Sequence, residues 1–320
     1  MTSLQNAIIG RQALYLFDFI CYMIFSSKNL FVFLVAVLFS ACAAPRVINQ
    51  SGKVTPKGNV VAGASYTANV PVRTAILMGK IVEQNISDLA NKDSITVGGN
   101  LETINKAAVA YAVDPFSSGY DFYLRAGIAK RFEAGYKLAG KANTFMLQYQ
   151  FMGTTGNIGT VGKSNQLYGS VAVQYSWQGY KLPNVFGELQ SRLGYSFKRN
   201  DFLLPLIFSY SFGEEEEYGS LAFGVAASYS RITYTTQPDR IFNDKNQPVF
   251  GVKNKQGFAS FGVFINAKMG YKYVYIIPAC SMFYQNYGTY KLLNGDNFNF
   301  KGLTIIPSLS LQFRLGKDYE

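Results

Sequence analysis

Residues 145–151 read Phe-Met-Leu-Gln-Tyr-Gln-Phe. On an extended chain Phe145, Leu147, Tyr149 and Phe151 share one side, and Gln148 and Gln150 share the other. A period of two marks a strand whose two faces meet different surroundings. The pattern continues outward in both directions. Val171, Val173, Tyr175 and Trp177 alternate with Ser170, Ala172, Gln174 and Ser176. Leu189, Leu193, Tyr195 and Phe197 alternate with Glu188, Gln190, Arg192 and Ser196. Near the end of the chain, Leu303, Ile305, Pro307, Leu309, Leu311, Phe313 and Leu315 alternate with Thr304, Ser308, Ser310, Gln312 and Arg314.

Both a soluble sandwich and a membrane barrel are built from such strands. Three features favour the barrel. The runs reach about ten residues or more, the length a tilted strand needs to cross a bilayer. Aromatic residues gather towards strand ends, as Tyr195, Phe197, Phe208, Tyr210 and Phe212 do, in the manner of interfacial girdles. The polar face carries small residues and full charges, which suits a lumen better than a dry core. Lipid offers no partner to a free strand edge, so strands there must close into a barrel.

Composition agrees. Charged residues make up 15% and aromatics 16%, with 26 Phe and 23 Tyr. The charged share is below the roughly 25% of soluble domains, and the aromatic content excludes disorder. The formal charge is +11, from 30 basic and 19 acidic residues. The basic residues are scattered and form no nucleic-acid motif, so no nucleic-acid partner is expected. There is no histidine, which removes Ser-His-Asp catalysis and His-based metal sites. No enzyme activity, metal or cofactor is expected. The Gly-rich stretch 153–162 before Lys163-Ser164 lacks phosphate-loop spacing. Glu214–Glu217 reads as a solvated loop tip, or more sharply as a divalent-cation or lipopolysaccharide-bridging site.

Eleven strands are expected, near 59–70, 121–129, 132–140, 144–152, 167–178, 186–198, 201–212, 220–235, 257–270, 273–287 and 302–315. Barrels of this kind have an even count, so a twelfth is sought around Pro248–Lys253. The fold expected is an all-β, up-and-down antiparallel transmembrane barrel of about 12 strands, within a range of 8–14. Lys130-Arg131, Arg199-Asn200-Asp201 and Lys272 read as short turns. Residues 153–165, 237–256 and the region after Tyr287 read as longer loops. Pro205, Pro278 and Pro307 fall inside strands, where proline removes a ladder donor. Segments 72–92 and 100–113 have helical spacing, and Asp114-Pro115 would end the second. This insertion at 71–118 has four open placements: in the lumen, over one mouth, on the membrane, or on the barrel rim.

Leu30–Phe39 is a ten-residue apolar run preceded by Lys28. It is too short to span a bilayer and has the length of a signal-peptide core. Residues 1–41 are read as leader and signal peptide, with the true start expected at Met23. Ser40-Ala41-Cys42 resembles the lipobox of bacterial lipoproteins, which implies cleavage before Cys42 and its lipidation. Plain cleavage near Ala43 or Ala44, and an uncleaved anchor over 13–39, stay open. Residues 42–57 read as a polar tether ahead of a barrel over 58–320. Cys21 and Cys42 lie in or beside the leader, and Cys280 reads as a small apolar strand residue, so no disulfide framework is expected.

The lipobox-like triplet, the first strand 58–71 (GNVVAGASYTANVP) and the hairpin 126–138 (AGIAKRFEAGYKL) resemble the outer-membrane β-barrel proteins of Gram-negative bacteria. The resemblance implies contact with the bilayer and its lipopolysaccharide, and assembly by the barrel assembly machinery. The final residues LGKDYE depart from the terminal aromatic usual in its substrates.

The residues expected in the lumen are Arg125, Glu133, Lys137, Gln148, Gln150, Gln174, Glu188, Gln190, Arg192, Asn266, Lys268 and Arg314. Cations outnumber acids among them. Three functions follow. The first is a passive channel, transporter or binder for a small solute, with a cationic lumen. The second is a structural or interaction barrel with a filled lumen. The third is a lipid-tethered soluble sandwich that binds carbohydrate or protein.

Overall fold

Ten antiparallel strands close on themselves. The computed structural model describes residues 46–83, 95–96, 99–156, 165–181, 194, 196–237, 241–242, 248, 251, 253–292 and 296–316. The leader, the candidate lipidation residue Cys42 and the candidate lumen residues Glu188, Gln190 and Arg192 lie outside the described residues.

The elements in chain order are β1 (Val60–Pro71), α1 (Val72–Glu83), β2 (Ile95–Thr96), α2 (Gly99–Val113), β3 (Ser117–Ala129), β4 (Phe132–Ala139), β5 (Ala142–Met152), β6 (Leu167–Lys181), β7 (Ser196–Phe212), β8 (Gly219–Thr235), β9 (Ile241–Phe242), β10 (Lys253–Tyr271), β11 (Val274–Lys291) and β12 (Asn297–Leu315). β1 closes the barrel by pairing with β12, from Val60↔Leu315 to Pro71↔Thr304, and with β3, from Val60↔Ala126 to Asn69↔Ser117. β2 and β9 form a separate two-residue parallel pair.

The barrel therefore has ten strands, not about twelve. The sequence reading broke β7 at Arg199-Asn200-Asp201. In the structure those residues sit inside a continuous strand and pair with Gln178, Trp177 and Ser176 of β6. Arg199 and Asp201 point inward and Asn200 outward. The charges of Arg199 and Asp201 belong to the lumen rather than to a turn, and Asn200 accepts from the outward Tyr175 hydroxyl. Much of the stretch around Pro248–Lys253, where a twelfth strand is sought, lies outside the described residues; the closed ladder takes no strand from it before β10 begins at Lys253.

Strand direction sorts the connections between two ends. One end holds the start of β1, the finish of β12, and connections 130–131, 153–166, 213–218 and 272–273. We call it the turn end. The loop end holds the helical insertion and connections 140–141, 182–195, 236–252 and 292–296.

Outward side chains are apolar and exposed, among them Leu124, Phe145, Leu147, Leu204, Val225, Phe261, Ile265 and Leu309. Towards the loop end Tyr175 packs on Phe202 with ring centroids 4.8 Å apart, and Phe145 stacks on Trp177 at 5.5 Å. Towards the turn end Tyr218 meets Tyr271 at 5.7 Å and Phe151 meets Phe208 at 6.1 Å. From Phe202 to Phe212 the strand rises about 34 Å, or about 26 Å along the axis at a tilt near 40°. That height matches the apolar band of outer-membrane barrels.

Candidate functional site: a filled lumen

The lumen is occupied by the chain's own residues. Those from Arg46 to Pro56, expected as part of a tether, are buried inside the barrel. At the loop-end side Arg46 reaches Asp114 at 2.7 Å and Gln285 at 2.5 Å. Halfway down, Asn49 Nδ2 donates to Ser65 at 3.3 Å and to Ser310 at 3.2 Å. Further on, Ser51 meets Ser209 at 3.1 Å, and Val54 N donates to Gln150 Oε1 at 3.1 Å. At the turn end Thr55 N donates to Glu133 at 2.7 Å, and Lys53 pairs with Glu215. The chain then reverses, with Gly58 N donating to Gly127 O at 3.0 Å, and enters β1. Gly127 allows this reversal, since a Cβ there would lie 2.2 Å from Pro56 O.

This segment has no alternation because each residue meets a different wall. Its backbone must still find partners once removed from water. The inward glutamines and asparagines of the strands supply them. Gln148 Nε2 donates to Ser51 O at 2.8 Å, and Asn266 Nδ2 donates to Gln50 O at 2.9 Å.

The loop-end mouth is closed by α2. Ala107 to Val113 pack among the inward Phe197, Ile232, Tyr234, Phe258, Tyr287 and Phe300. Of the four placements left open, this is the one over the mouth. Two buried groups fix the end of the helix. Arg199 Nη1 donates to Val113 O at 2.6 Å, which places a cation at the helix C-terminus. Arg199 Nε also grips both oxygens of Asp201, at 2.7 and 2.9 Å. Asp114 accepts from Arg46, Asn69 (2.9 Å), Gln285 (2.8 Å), Tyr287 (2.6 Å) and Thr304 (2.6 Å). It joins the N-terminal segment, α2 and the wall. Burial alone would raise its pKa, but Arg46 and Arg199 outweigh burial and hold it below the usual carboxylate range.

Glu214–Glu217 is not a solvated tip throughout. Glu215 and Glu216 are buried, with φ of +52° and +62°. Such a conformation costs about 1–3 kcal/mol per residue unless its surroundings hold it. Here Lys268 meets Glu216 at 2.8 Å, Ser51 donates to Glu216, and Lys53 donates to Glu215. Burial would raise Glu216, but Lys268 and Lys53 keep it below its ordinary range. No cluster of metal-ligating side chains occurs among the described residues.

All nine described residues of the expected lumen set face inward and are buried: Arg125, Glu133, Lys137, Gln148, Gln150, Gln174, Asn266, Lys268 and Arg314. Arg125 pairs with Glu133 at 3.4 Å and donates to Gln312 at 2.6 Å. Lys137 donates to Val47 O at 3.4 Å. Sequence reasoning missed Arg46, Lys53, Arg199, Asp114, Asp121, Asp201, Glu215 and Glu216. With them the buried charges among the described residues number seven cations and six acids, so the cationic excess expected of this set nearly vanishes there. Among the described residues two small cavities lie in the lumen. One cavity of about 30 Å³ lies among Ser51, Lys53, Arg125, Lys268 and Arg314, and another of about 20 Å³ lies beside Gln174. Each has room for about one or two waters.

No family model matches the chain, and no curated protein does. Several solved barrels align with it at low scores. The attachment invasion locus protein Ail of Yersinia pestis is 8% identical, covering 81% of this chain and 99% of that one, with a TM-score of 0.30. Neisserial surface protein A is 11% identical, covering 81% and 96%, at 0.30. The translocator domain of the autotransporter NalP from Neisseria meningitidis is 7% identical, covering 82% and 89%, at 0.33. The barrel assignment rests on the closed ten-strand ladder of this chain itself.

Proposed function

We propose that the protein is an integral barrel of a bacterial outer membrane whose lumen is sealed by its own chain. It acts through its outer wall and loop end, not as a pore. The observation that carries this reading is the course of residues 46–56, which run buried through the lumen from loop end to turn end. The turn end holds the short connections 130–131, 213–218 and 272–273 beside the longer 153–166, and the loop end holds the helical insertion, 182–195 and 236–252 beside the short 140–141 and 292–296. Short turns belong on the periplasmic side and longer connections outside, so the balance puts the loop end at the cell exterior. The apolar outer wall supports membrane insertion, because an apolar surface of that extent is rarely left to water. Lipidation at Cys42 is part of the proposal, and so is the lack of any catalytic role.

The passive-channel reading has the filled lumen and its balanced charges against it, and the tethered-sandwich reading has the closed ladder against it. Planar-bilayer recording of the purified full chain separates them. The sealed barrel gives no steady current; a steady ohmic conductance would overturn the proposal. Heat-modifiability on a gel is the companion check. The Cys42→Ala chain should still need detergent and run faster unboiled, whereas a sandwich would be soluble and show no shift.

A further inference from the structure

The only acidic residues on the barrel strands are Asp121, Glu133 and Asp201, and all three point inward. The outward faces near the loop end are basic instead. Lys198, Arg231, Lys253, Lys255, Lys291 and Lys301 are exposed there. Three of them form a triangle. Thr233 pairs with Lys198 on one side and Lys255 on the other, so these lysines stand about 10 Å apart across two strand spacings. Arg231 sits one outward step nearer the membrane on β8. Lys198, Arg231 and Lys255 have no acidic partner within ion-pair distance among the described residues. Tyr229, the next outward residue, leans across Gly257, where an added Cβ would lie 2.3 Å from its hydroxyl.

Directly below is an apolar hollow of about 820 Å³. Leu204, Ala227, Phe261 and Tyr284 form one cross-strand row of its lining. Small Ala227 makes the floor between larger neighbours. It lies four residues from Arg231, about 13 Å along β8. A cluster of cations without an acidic partner among the described residues, set beside an apolar hollow, fits an amphipathic ligand with anionic groups at its head.

We propose that the outward face of β7, β8 and β10 at the loop end is a docking site for lipopolysaccharide. The phosphates of its lipid anchor meet Lys198, Arg231 and Lys255, and an acyl chain lies over Ala227. The assignment rests on the orientation given under Proposed function. The cations supply charge-assisted hydrogen bonds to phosphate, and basic residues at a bilayer surface attract anionic headgroups.

The test is native mass spectrometry of the detergent-solubilised full chain titrated with bis-phosphorylated lipid A. The Lys198→Gln/Arg231→Gln/Lys255→Gln variant should bind about tenfold more weakly or worse. Ala227→Phe should weaken binding by filling the hollow, and phosphate-free lipid A should bind weakly to the parent. A turn-end control, Lys57→Gln/Lys130→Gln, should match the parent. The proposal falls if the triple variant stays within twofold of the parent, if phosphate-free lipid binds equally, or if phosphatidylglycerol binds as tightly with the same dependence. A parent that shows heat-modifiability and no conductance keeps the sealed barrel standing in each of those cases.

Discussion

Asp114→Asn should release the N-terminal segment from the lumen. The carboxylate collects five donors, one of them the Arg46 guanidinium at 2.7 Å, and both side chains of that ion pair are almost wholly buried. Asparagine keeps the shape but leaves Arg46 without its counter-charge and aims an N–H at groups that themselves donate. Removing one partner of a buried pair costs about 3–5 kcal/mol. At about 1.4 kcal/mol per decade, that shifts the seated-to-released balance by roughly two to four decades. Trypsin reads the balance directly, because Arg46 and Lys53 are cleavage sites concealed in the lumen. Wild-type protein in detergent should resist cutting at both, and Asp114→Asn should be cut at both, with the cleaved peptides identified by mass. The Arg46→Gln/Asp114→Asn double variant should recover much of the protection, since replacing both partners is far milder than orphaning one. An Asp114→Asn chain as protected as the wild type would refute the reasoning.

At the turn end, Glu216→Gln orphans buried Lys268 and should lower the heat-modification midpoint on a gel; adding Lys268→Met should restore part of it. Gly127→Val places side-chain atoms against Thr55 and Pro56 carbonyls and should cost about 1–3 kcal/mol, read as trypsin cleavage after Lys53. Asp114 and Glu216 titrate below their ordinary values in the folded chain. A carboxylate of that kind contributes stability above its unfolded pKa and loses it as pH falls through the folded one. Burial lowers Lys53 in the same segment to about 8, so protection measured by hydrogen exchange over residues 46–56 should hold level from pH 7 to 5 and weaken only in stronger acid; a loss between pH 7 and 5 would contradict the assignment.

Alternation revealed the wall because a barrel strand meets lipid on one face and the lumen on the other along its whole length. Inward residues such as Gln148, Gln150 and Lys268 could be picked out by parity alone. Arg199-Asn200-Asp201 misled for a local reason, since three polar residues in a row look like a turn. Their purpose, holding the carbonyl end of α2, depends on a helix that lies some ninety residues away in the chain. Residues 46–56 and the pair Glu215–Glu216 carry no periodic signal. Their burial is decided by partners on many strands, so a local reading sees only a polar tether and an acidic tip. The balance of lumen charge was hidden with them.

Disulfide trapping tests the threaded lumen most directly. In a chain with Cys21, Cys42 and Cys280 replaced by Ala, Ser51→Cys and Ser209→Cys join the N-terminal segment to β7, where the two hydroxyls stand 3.1 Å apart. Ser65→Cys and Ser310→Cys, whose hydroxyls stand 2.8 Å apart, report in the same way on closure between β1 and β12. Mild oxidation in native membranes should cross-link both pairs. A cross-link at the wall pair without one at Ser51–Ser209 would leave the barrel closed but show that the segment does not run through it.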